Sequence, residues 1–229
     1  MNEYRAWPDP AAPIPAEVTV ARMKELEYLA DEAGLTYYQM MENAGRAAAR
    51  ILRERWPGAK TATVWCGKGN NGGDGFVVAR MLAKAGLQVL VVLAEGEPAT
   101  WDAMANYLLV KKLGLPVVDL SKAEFDPEQA EFMRLAELSV DAVCGTAVKG
   151  DLRGGAATAM GWRHHGQGVR VALDLPSGIE ADTGYVGCSV SRAELTVAFH
   201  APKACHRLAA YRCGEVVVAD IGITAALGL

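Results

Sequence analysis

The sequence predicts an α/β protein, a three-layer α/β/α Rossmann-like domain with a mostly parallel sheet and a helical N-terminal lead-in. Three observations support this class. Short runs rich in Val and Leu recur between residues 61 and 219, segments with helical periodicity separate several of them, and the runs have no polar face. Strands that are apolar on both faces are typical of a parallel sheet covered by helices on two sides.

The N-terminal part of the chain is predicted to lead into that sheet. Residues 1–15 are rich in proline and are expected to form a flexible arm. From Thr19 to Trp56, apolar residues return every three or four positions, which predicts helix. Gly34 is expected to divide this stretch into two helices. Residues 16–229 are therefore predicted to form a single domain.

Seven strands and four further helices are predicted after Trp56. The predicted strands are Thr61–Cys66, Gln88–Ala94, Pro116–Leu120, Leu138–Cys144, Val169–Leu173, Leu195–Phe199 and Glu215–Ala219. The predicted helices are Phe76–Ala85, Ala99–Leu113, Pro127–Ala136 and Ala156–His165. In such sheets a ligand lies beyond the carboxyl ends of the strands, where the strand order reverses. The turns that directly follow strands are therefore the candidate site segments.

Composition excludes several classes of protein. A net charge of −4 and scattered basic residues give no reason to expect nucleic acid or an anionic membrane as a partner. The five cysteines form no Cys-x-x-Cys pair, which favours reduced thiols in the cytoplasm. The first residues contain acid and proline and do not resemble a signal peptide, and the aliphatic runs are too short to span a bilayer. We expect a cytoplasmic protein.

The first candidate turn is Gly67–Gly75, with the sequence GKGNNGGDG. Its five glycines allow positive φ angles and leave amide N–H groups unobstructed. A helix N-terminus directly behind such amides suits a pyrophosphate. Asn70, Asn71 and Asp74 add polar side chains beside it. The turn predicts a site for a nucleotide that carries phosphate.

Two other interpretations of this turn were weighed. Gly67, Gly69 and Gly72 match the dinucleotide-binding pattern of NAD-dependent dehydrogenases, and Glu95 follows the next strand where a ribose-binding acid stands in those enzymes. That pattern leaves the polar side chains of the turn unexplained. A P-loop is excluded because no Gly-Lys-Ser/Thr follows.

Two later turns are weaker candidates. Gly145–Asp151 contains Thr146 and Lys149, which suit a phosphate, although an ordinary surface loop explains these residues equally well. Asp174 follows four apolar residues of a predicted strand, so partial desolvation is expected to raise its pKa toward the range of acid–base catalysis. Capping of the next turn is the alternative role for this aspartate.

Taken together, four segments resemble a known family. The segments GKGNNGGDGFVVAR, VDAVCGTAVKG, DLPSGIEADTG and ELTVAFHAPK occur in this order. With the upstream MMENAG they resemble the NAD(P)H-hydrate epimerase family, also called the YjeF N-terminal domain family, from about Thr19 to Ile223. The resemblance implies a homodimeric isomerase that interconverts the R and S forms of hydrated NADH and NADPH, and a bound potassium ion. It also implies an ADP- or ATP-dependent dehydratase, expected here on another chain because this one ends soon after Ile223.

The resemblance also implies site residues. Implied substrate-binding residues are Asn70, Asn71, Gly72, Gly73 and Asp74 in the first turn, Gly145, Thr146, Ala147, Val148, Lys149, Gly150 and Asp151 in the second, and Asp174 in the third. Implied potassium ligands are Asn71, Asp141 and Ser177, whose oxygen atoms suit a hard cation. Asp174 is the expected acid–base residue, with Asp74 assisting. Ala147 stands where many relatives have glycine, which predicts a stiffer second loop.

Two competing functions remain. An NAD-dependent dehydrogenase would use the same glycine turn, and a non-catalytic nucleotide-binding scaffold would need only the fold. Five polar side chains occur together in the candidate turns: Asn71, Asp74, Asp141, Asp174 and Ser177. This oxygen set favours an enzyme, because a scaffold has no need of it.

Overall fold

The computed structural model describes residues 4–122 and 126–229. Its strands, in chain order, are β1 Arg5–Trp7, β2 Thr61–Cys66, β3 Gln88–Leu93, β4 Val117–Asp119, β5 Leu138–Ala142, β6 Val169–Leu173, β7 Leu195–Phe199 and β8 Glu215–Ala219. They form one sheet in the order β1-β8-β7-β6-β5-β2-β3-β4, and every neighbouring pair is parallel. The predicted α/β class with a parallel sheet is confirmed.

The helices cover both faces of this sheet. They are α1 Val20–Glu32, α2 Tyr37–Arg55, α3 Asn70–Lys84, α4 Trp101–Lys112, α5 Pro127–Leu135, α6 Gly154–His165, α7 Ala204–Leu208, α8 Ala210–Cys213 and α9 Ile223–Leu227. Alternate strand residues belong to different clusters: Val64 packs with α1–α4, whereas its neighbour Trp65 packs with α6. This alternation produces three layers. No helix in the two described ranges is long and apolar enough to cross a membrane.

The helical lead-in divides where the sequence predicts. Gly34 has a φ of +98°, a left-handed conformation that favours glycine, and it lies between α1 and α2. The Thr19 and Thr36 side chains each accept a hydrogen bond from a first-turn amide and so begin the two helices. Both helices pack on the sheet through an apolar stripe.

The N-terminal segment contains a strand that the sequence prediction missed. Within the predicted arm, β1 pairs with β8 at the edge of the sheet, and Trp7 Nε1 donates to Glu54 Oε2 at 3.0 Å. A strand of three residues followed by Pro8 is too short to show a recognisable period. The prediction of one arm over residues 1–15 therefore omitted an element of the sheet.

The first candidate turn is largely helical, which corrects both its predicted extent and the predicted role of its glycines. Helix α3 begins at Asn70, six residues before the predicted Phe76. None of the five glycines has a positive φ. Their small size is what the fold uses: a Cβ on Gly67 would overlap the carbonyl oxygen of Val143, and one on Gly75 would lie 2.6 Å from Ala142 Cβ. Glycine here permits close packing of α3 on the sheet.

The strand order reverses between β2 and β5. From β2 the chain proceeds through β3 and β4 toward one edge, and from β5 it proceeds through β6, β7 and β8 toward the other. The turns that follow β2 and β5 therefore diverge at this point and leave a crevice. The fold places the first and second candidate turns on opposite sides of that crevice.

Candidate active site

A cavity of about 540 Å³ opens at this reversal point. Its wall comes from α1 and α2, from Lys68 to Asp74, from Val143 to Val148, and from the segments that contain Asp174 and Lys203. All three candidate turns thus contribute to one cavity, as parallel strands with a common edge require. The cavity is large enough for part of a nucleotide-sized ligand.

The N-terminus of α3 lies in the wall of this cavity. Gly69 begins the helix without a side-chain cap, and Asn70 and Asn71 follow it in the cavity wall. The first amides of a helix have no partner within the helix, and the helix dipole makes that end attractive to anions. This is the arrangement that binds phosphate groups.

Gly72 and Gly73 lie behind the cavity wall. A Cβ on Gly72 would overlap the carbonyl oxygen of Gly67, and one on Gly73 would lie 2.5 Å from Met41 Sδ. Asp74, one residue further, returns to the wall. The two glycines let α3 approach its neighbours closely enough to present Asn70, Asn71 and Asp74.

The second candidate turn divides into two parts. Gly145, Thr146, Ala147 and Val148 line the cavity. Lys149, Gly150 and Asp151 lie outside that lining: the Gly150 amide donates to Glu180 Oε1 at 2.7 Å, while Asp151 Oδ1 accepts from the Cys188 amide at 3.0 Å and from the Tyr185 hydroxyl at 3.2 Å.

Asp174 is held in an unusual backbone conformation at the floor of the cavity. Its φ is +64°, and its amide donates to Val197 O at 2.7 Å. His206 Nδ1 accepts from the Lys203 amide at 3.0 Å, so Nε2 bears the proton and donates to Asp174 O at 2.8 Å. Burial, followed by the positive charge of Lys203, lowers the pKa of His206 to about 4, which keeps the ring neutral. Residues with a strained backbone, such as Asp174 with its positive φ, commonly occur at functional sites.

Lys203 is the cation partner of Asp174. Its side chain is 1% exposed, its ammonium contacts Asp174 Oδ1, and it also donates to Phe199 O at 3.0 Å. The Asp174 carboxylate is 13% exposed and faces the cavity. A buried ammonium that touches a carboxylate in a cavity is typical of a site that handles protons or charge.

Two further carboxyls face the same space. Asp74, on α3, and Glu27, on α1, both line the cavity. Burial raises the pKa of Asp74 well above its usual range, and the charges of Asp174 and Glu27 raise it further while Lys203 lowers it. Burial is also the main reason that the pKa of Glu27 is raised. Both shifts favour the protonated form of these carboxyls, which is the form that a proton donor needs.

Asp141 and Ser177 form a separate, fully buried pair beside the cavity. Ser177 Oγ donates to Asp141 Oδ1 at 2.6 Å, and the Ser177 amide donates to Oδ2 at 3.0 Å. The Cys144 amide donates to Ser177 Oγ at 2.8 Å, which joins the pair to the second turn. Asn71 approaches the same turn at Gly145, and its buried Nδ2 has no hydrogen-bond partner. The three predicted potassium ligands therefore surround the segment Cys144–Gly145.

Sequence reasoning missed two buried charged residues, Lys203 and Arg163, and the half-buried Glu27. Arg163 is completely buried, with Nη2 donating to Val171 O at 2.8 Å and Nη1 lying 3.9 Å from Asp141 Oδ2. Two of the three stand on the apolar stripe of a helix: Glu27 between Met23 and Ala30 on α1, and Arg163 after Met160 on α6. A charged residue on such a stripe is a signal that it has a partner in the interior. Lys203 lay within the segment ELTVAFHAPK but was not selected.

Fold and site together define the class of this protein: a Rossmann-like α/β domain whose candidate site lies at the reversal point of a parallel sheet. Residues 37–205 match the family model described as YjeF-related protein N-terminus. The chain belongs to that family.

Relatives support this assignment, and one solved structure shares the fold. The chain is 38% identical over 207 residues to a protein of Pirellula staleyi named NAD(P)H-hydrate epimerase, covering 87% of this chain and 91% of the relative. It is 40% identical over 211 residues to the bifunctional NAD(P)H-hydrate repair enzyme Nnr of Pyrobaculum aerophilum, covering 90% of this chain but 42% of the relative. The chain thus spans about two fifths of the bifunctional relatives. A crystal structure of the yeast protein YNL200c has the same fold, with a TM-score of 0.72, 22% identity and coverage of 89% and 87% of the two chains.

Proposed function

We propose that this chain is an isomerase that interconverts the R and S forms of hydrated NADH and NADPH. One observation carries the proposal: the free N-terminus of α3 and an acid–base cluster of Asp74, Asp174 and Lys203 open into the same cavity. A phosphate-binding element and proton-transfer groups in one cavity suit a reaction on a ring attached to a diphosphate. The names of the relatives, at 35–38% identity over most of their length, agree with that reaction.

In this proposal the substrate lies across the crevice. Amides at the start of α3 bind the diphosphate, and Thr146, Ala147 and Val148 cover it from the other side. The nicotinamide end then points toward Asp74 and Asp174. The half of the second turn that lines the cavity contacts substrate, while Lys149, Gly150 and Asp151 act by holding the loop.

The chemistry needs one proton donor and one acceptor. The hydrated ring has its hydroxyl on the carbon next to the ring nitrogen, so inversion proceeds either by loss of water to an iminium or by opening and reclosing of the ring. Both routes move a proton to oxygen or nitrogen and take one back. Asp174, which pairs with Lys203, serves as the acceptor. Asp74, whose pKa burial raises, serves as the donor. Two carboxyls in contrasting environments are a common way to divide acid and base roles.

Potassium fits the residues around Cys144–Gly145. Asp141, Ser177 and Asn71 offer carboxylate, hydroxyl and amide oxygens, which hard cations prefer. Asn71 Nδ2 has no hydrogen-bond partner among the described residues. If the side-chain amide is flipped, Oδ1 takes the position of Nδ2 and becomes available as a ligand for the ion. A single carboxylate that already has Arg163 nearby favours a singly charged ion over a divalent one. Bound there, the ion would supply a fixed positive charge that holds the first, second and third turns together.

The proposal includes partners and location. The S form would pass to an ADP- or ATP-dependent dehydratase, since the bifunctional relatives carry additional sequence beyond the part that matches this chain. The family resemblance supports a homodimer, which sedimentation velocity would test. The unpaired cysteines support a reducing cytoplasm, where NADH and NADPH are abundant.

A coupled assay tests the function. The chain is mixed with hydrated NADPH of R configuration and a dehydratase that accepts only the S form, and the return of NADPH is followed by its fluorescence. We expect NADPH to return faster than spontaneous epimerisation allows. Recovery no faster than in the dehydratase-only control would reject the epimerase. A dehydrogenase, to which the cavity-lining Glu95 would contribute a ribose contact, predicts hydride transfer from NADPH to an added carbonyl substrate instead.

The ion is tested separately, by binding. Thermal unfolding is measured in matched potassium, sodium and choline chloride. A ligand of the native state alone raises the midpoint, so we expect the highest midpoint in potassium, and no such advantage in the variant Asn71→Leu. Equal midpoints in the three salts would remove potassium from the proposal and leave the epimerase intact.

A further inference from the structure

Glu27 occupies a place that no other acidic residue of α1 shares. It lies on the inward stripe of the helix with the buried residues Met23 and Ala30, and it lines the cavity. The start of α1 is fixed over the site by two hydrogen bonds: the Val18 amide donates to Pro202 O at 2.9 Å, and the Val20 amide donates to Asp182 Oδ1 at 2.8 Å. These bonds fix the N-terminal end of the helix that carries Glu27.

The charges around this carboxyl do not balance. Four carboxyls line the cavity, of which Glu95 is exposed and the other three are Glu27, Asp74 and Asp174. Among the described residues, the single buried ammonium of this cavity is that of Lys203. Lys203 touches Asp174, which leaves Glu27 and Asp74 without a buried cation.

The remaining charged and titratable groups of the wall come from several elements. They are Lys24 from α1, Tyr37 from α2, Lys68 after β2, Glu95 after β3 and Cys144 after β5. Lys24 and Lys68 are exposed to solvent, where screening weakens their effect. Glu95 adds a further negative charge. None of these groups replaces a buried cation for the pair Glu27 and Asp74.

We propose that Glu27 and Asp74 hold one proton between them, and that Glu27 is the positioning residue that keeps this proton on Asp74 for delivery to substrate. Like charges in one poorly solvated cavity disfavour double ionisation, and the protons of such a pair belong to the pair. The pKa of Asp74 is raised by burial and then by the charges of Asp174 and Glu27, whereas the pKa of Glu27 is raised by burial and then by the charge of Asp174. The shared cavity wall is therefore the main support for the pair, and the effect of Glu27 on Asp74 agrees with it.

The proposal rests on the proposed epimerase and specifies its proton donor. In the iminium route, the proton passes from the pair to the hydroxyl oxygen, the C–O bond breaks with its electrons leaving on water, and the ring nitrogen lone pair forms the C=N bond. Water then adds to the opposite face and returns its proton to the pair. In the ring-opening route, Asp174 takes the hydroxyl proton, the C=O bond forms, and the nitrogen leaving from carbon receives the proton of the pair.

The test compares Glu27→Gln with Glu32→Gln, which alters an exposed glutamate on the same helix. We expect kcat to fall about tenfold in Glu27→Gln, because a well-placed acid contributes more than that in total. Substrate affinity should change by less than about threefold, since no binding contact is assigned to Glu27. Removing the negative charge lowers the pKa of Asp74, so the basic limb of the pH–kcat profile should move to lower pH. Glu32→Gln should match the wild type in all three respects.

A second measurement separates this proposal from the epimerase itself. The carboxyl carbon of Asp74 is titrated by NMR in the substrate-free protein, with Asp74→Asn to assign the signal. A lower pKa of Asp74 in Glu27→Gln than in the wild type supports the pair even if the wild type lacks epimerase activity. An unchanged Asp74 titration, or an unchanged pH–kcat profile in an active enzyme, would overturn the proposal.

Discussion

Two aspartates near the carboxyl ends of neighbouring strands have opposite environments. Asp141, in β5, is completely buried and accepts hydrogen bonds from Ser177 Oγ, the Ser177 amide and the Val143 amide. Asp174, directly after β6, faces the cavity and has the ammonium of Lys203 as its close partner. Asp141 is in register with Ala172, two residues before Asp174, so the two aspartates lie near the same edge of one sheet. The same residue type at this edge therefore differs in its capacity for chemistry.

The difference follows from how many hydrogen bonds each carboxylate already accepts within the protein. A carboxylate with several internal donors stabilises the structure that supplies them, because removing it would leave those donors buried and unpaired. A carboxylate with open lone pairs beside a cavity can accept a proton from a ligand. Asp141 therefore organises the turns around Cys144, and Asp174 is left for chemistry.

The largest expected effect on activity is that of Asp174→Asn. The amide keeps the shape of the side chain, and asparagine tolerates positive φ well, so folding and cofactor binding should remain. Loss of the proton acceptor should lower kcat by about 10²–10⁴-fold. The measurement is the coupled NADPH assay, with binding of NADPH followed by calorimetry.

Asp220→Asn is the matched control for this variant. Asp220 directly follows β8, as Asp174 follows β6, but its Oδ1 accepts from the Gly222 amide in a local turn. We expect its kcat to remain near that of the wild type. Full activity in Asp174→Asn would remove Asp174 from the acid–base role. The proposed difference in function between Asp174 and Asp141 would then be wrong.

The second effect concerns stability. Asp141→Ala should lower the free energy of unfolding by about 3–5 kcal/mol, because it leaves the buried guanidinium of Arg163 and the donors of Ser177 without their carboxylate. Urea denaturation measures the change. Adding Arg163→Met should restore part of the loss, since the uncompensated buried charge is then gone. A fall of less than about 1 kcal/mol would mean that the two aspartates do not differ as described.

The sequence was sufficient for strands β2 to β8 and for the location of the site, but not for the short edge strand β1. The strands from β2 to β8 agree with prediction to within two residues at each end, because apolar runs bounded by turns have few alternative structures. The crevice followed from topology, since the turns after β2 and β5 must diverge where the order reverses. Asn70, Asn71, Asp74 and Asp174 do line the cavity.

What the sequence did not predict depends on tertiary contacts. The glycines of the first turn were interpreted through φ, whereas Gly67, Gly72 and Gly75 serve close packing against atoms distant in sequence or on another element. Glycine also has a low helix propensity. Helix α3 nevertheless begins within the glycine-rich turn, because tertiary packing outweighs that propensity. The partnership of Lys203 with Asp174 spans 29 residues. No local pattern reports such a contact.

The smallest expected effect is a dependence of the free energy of unfolding on pH, which arises on the Asp174 side of the site. The neutral ring of His206 supports Asp174, and its pKa is lowered from 6.5 to about 4 by burial. A group with a depressed folded-state pKa contributes stability that is complete above its unfolded value and is lost as the pH falls toward its folded value. The loss should therefore begin near pH 6.5 and continue to about pH 4. Between pH 7.5 and pH 5.0 it amounts to at most about 2 kcal/mol, since each pH unit below 6.5 contributes about 1.4 kcal/mol.

His206→Gln isolates this contribution. The free energy of unfolding is measured by urea denaturation at pH 7.5 and 5.0 for the wild type, His206→Gln, and His164→Gln, which alters an exposed histidine of α6. His206→Gln should be less stable than the wild type at pH 7.5 but should lose less on acidification, because its amide does not titrate. His164→Gln should follow the wild type at both values. Equal losses in the wild type and His206→Gln would show that the Asp174 side of the site needs no neutral histidine, and Asp174 would then differ from Asp141 only in its exposure to the cavity.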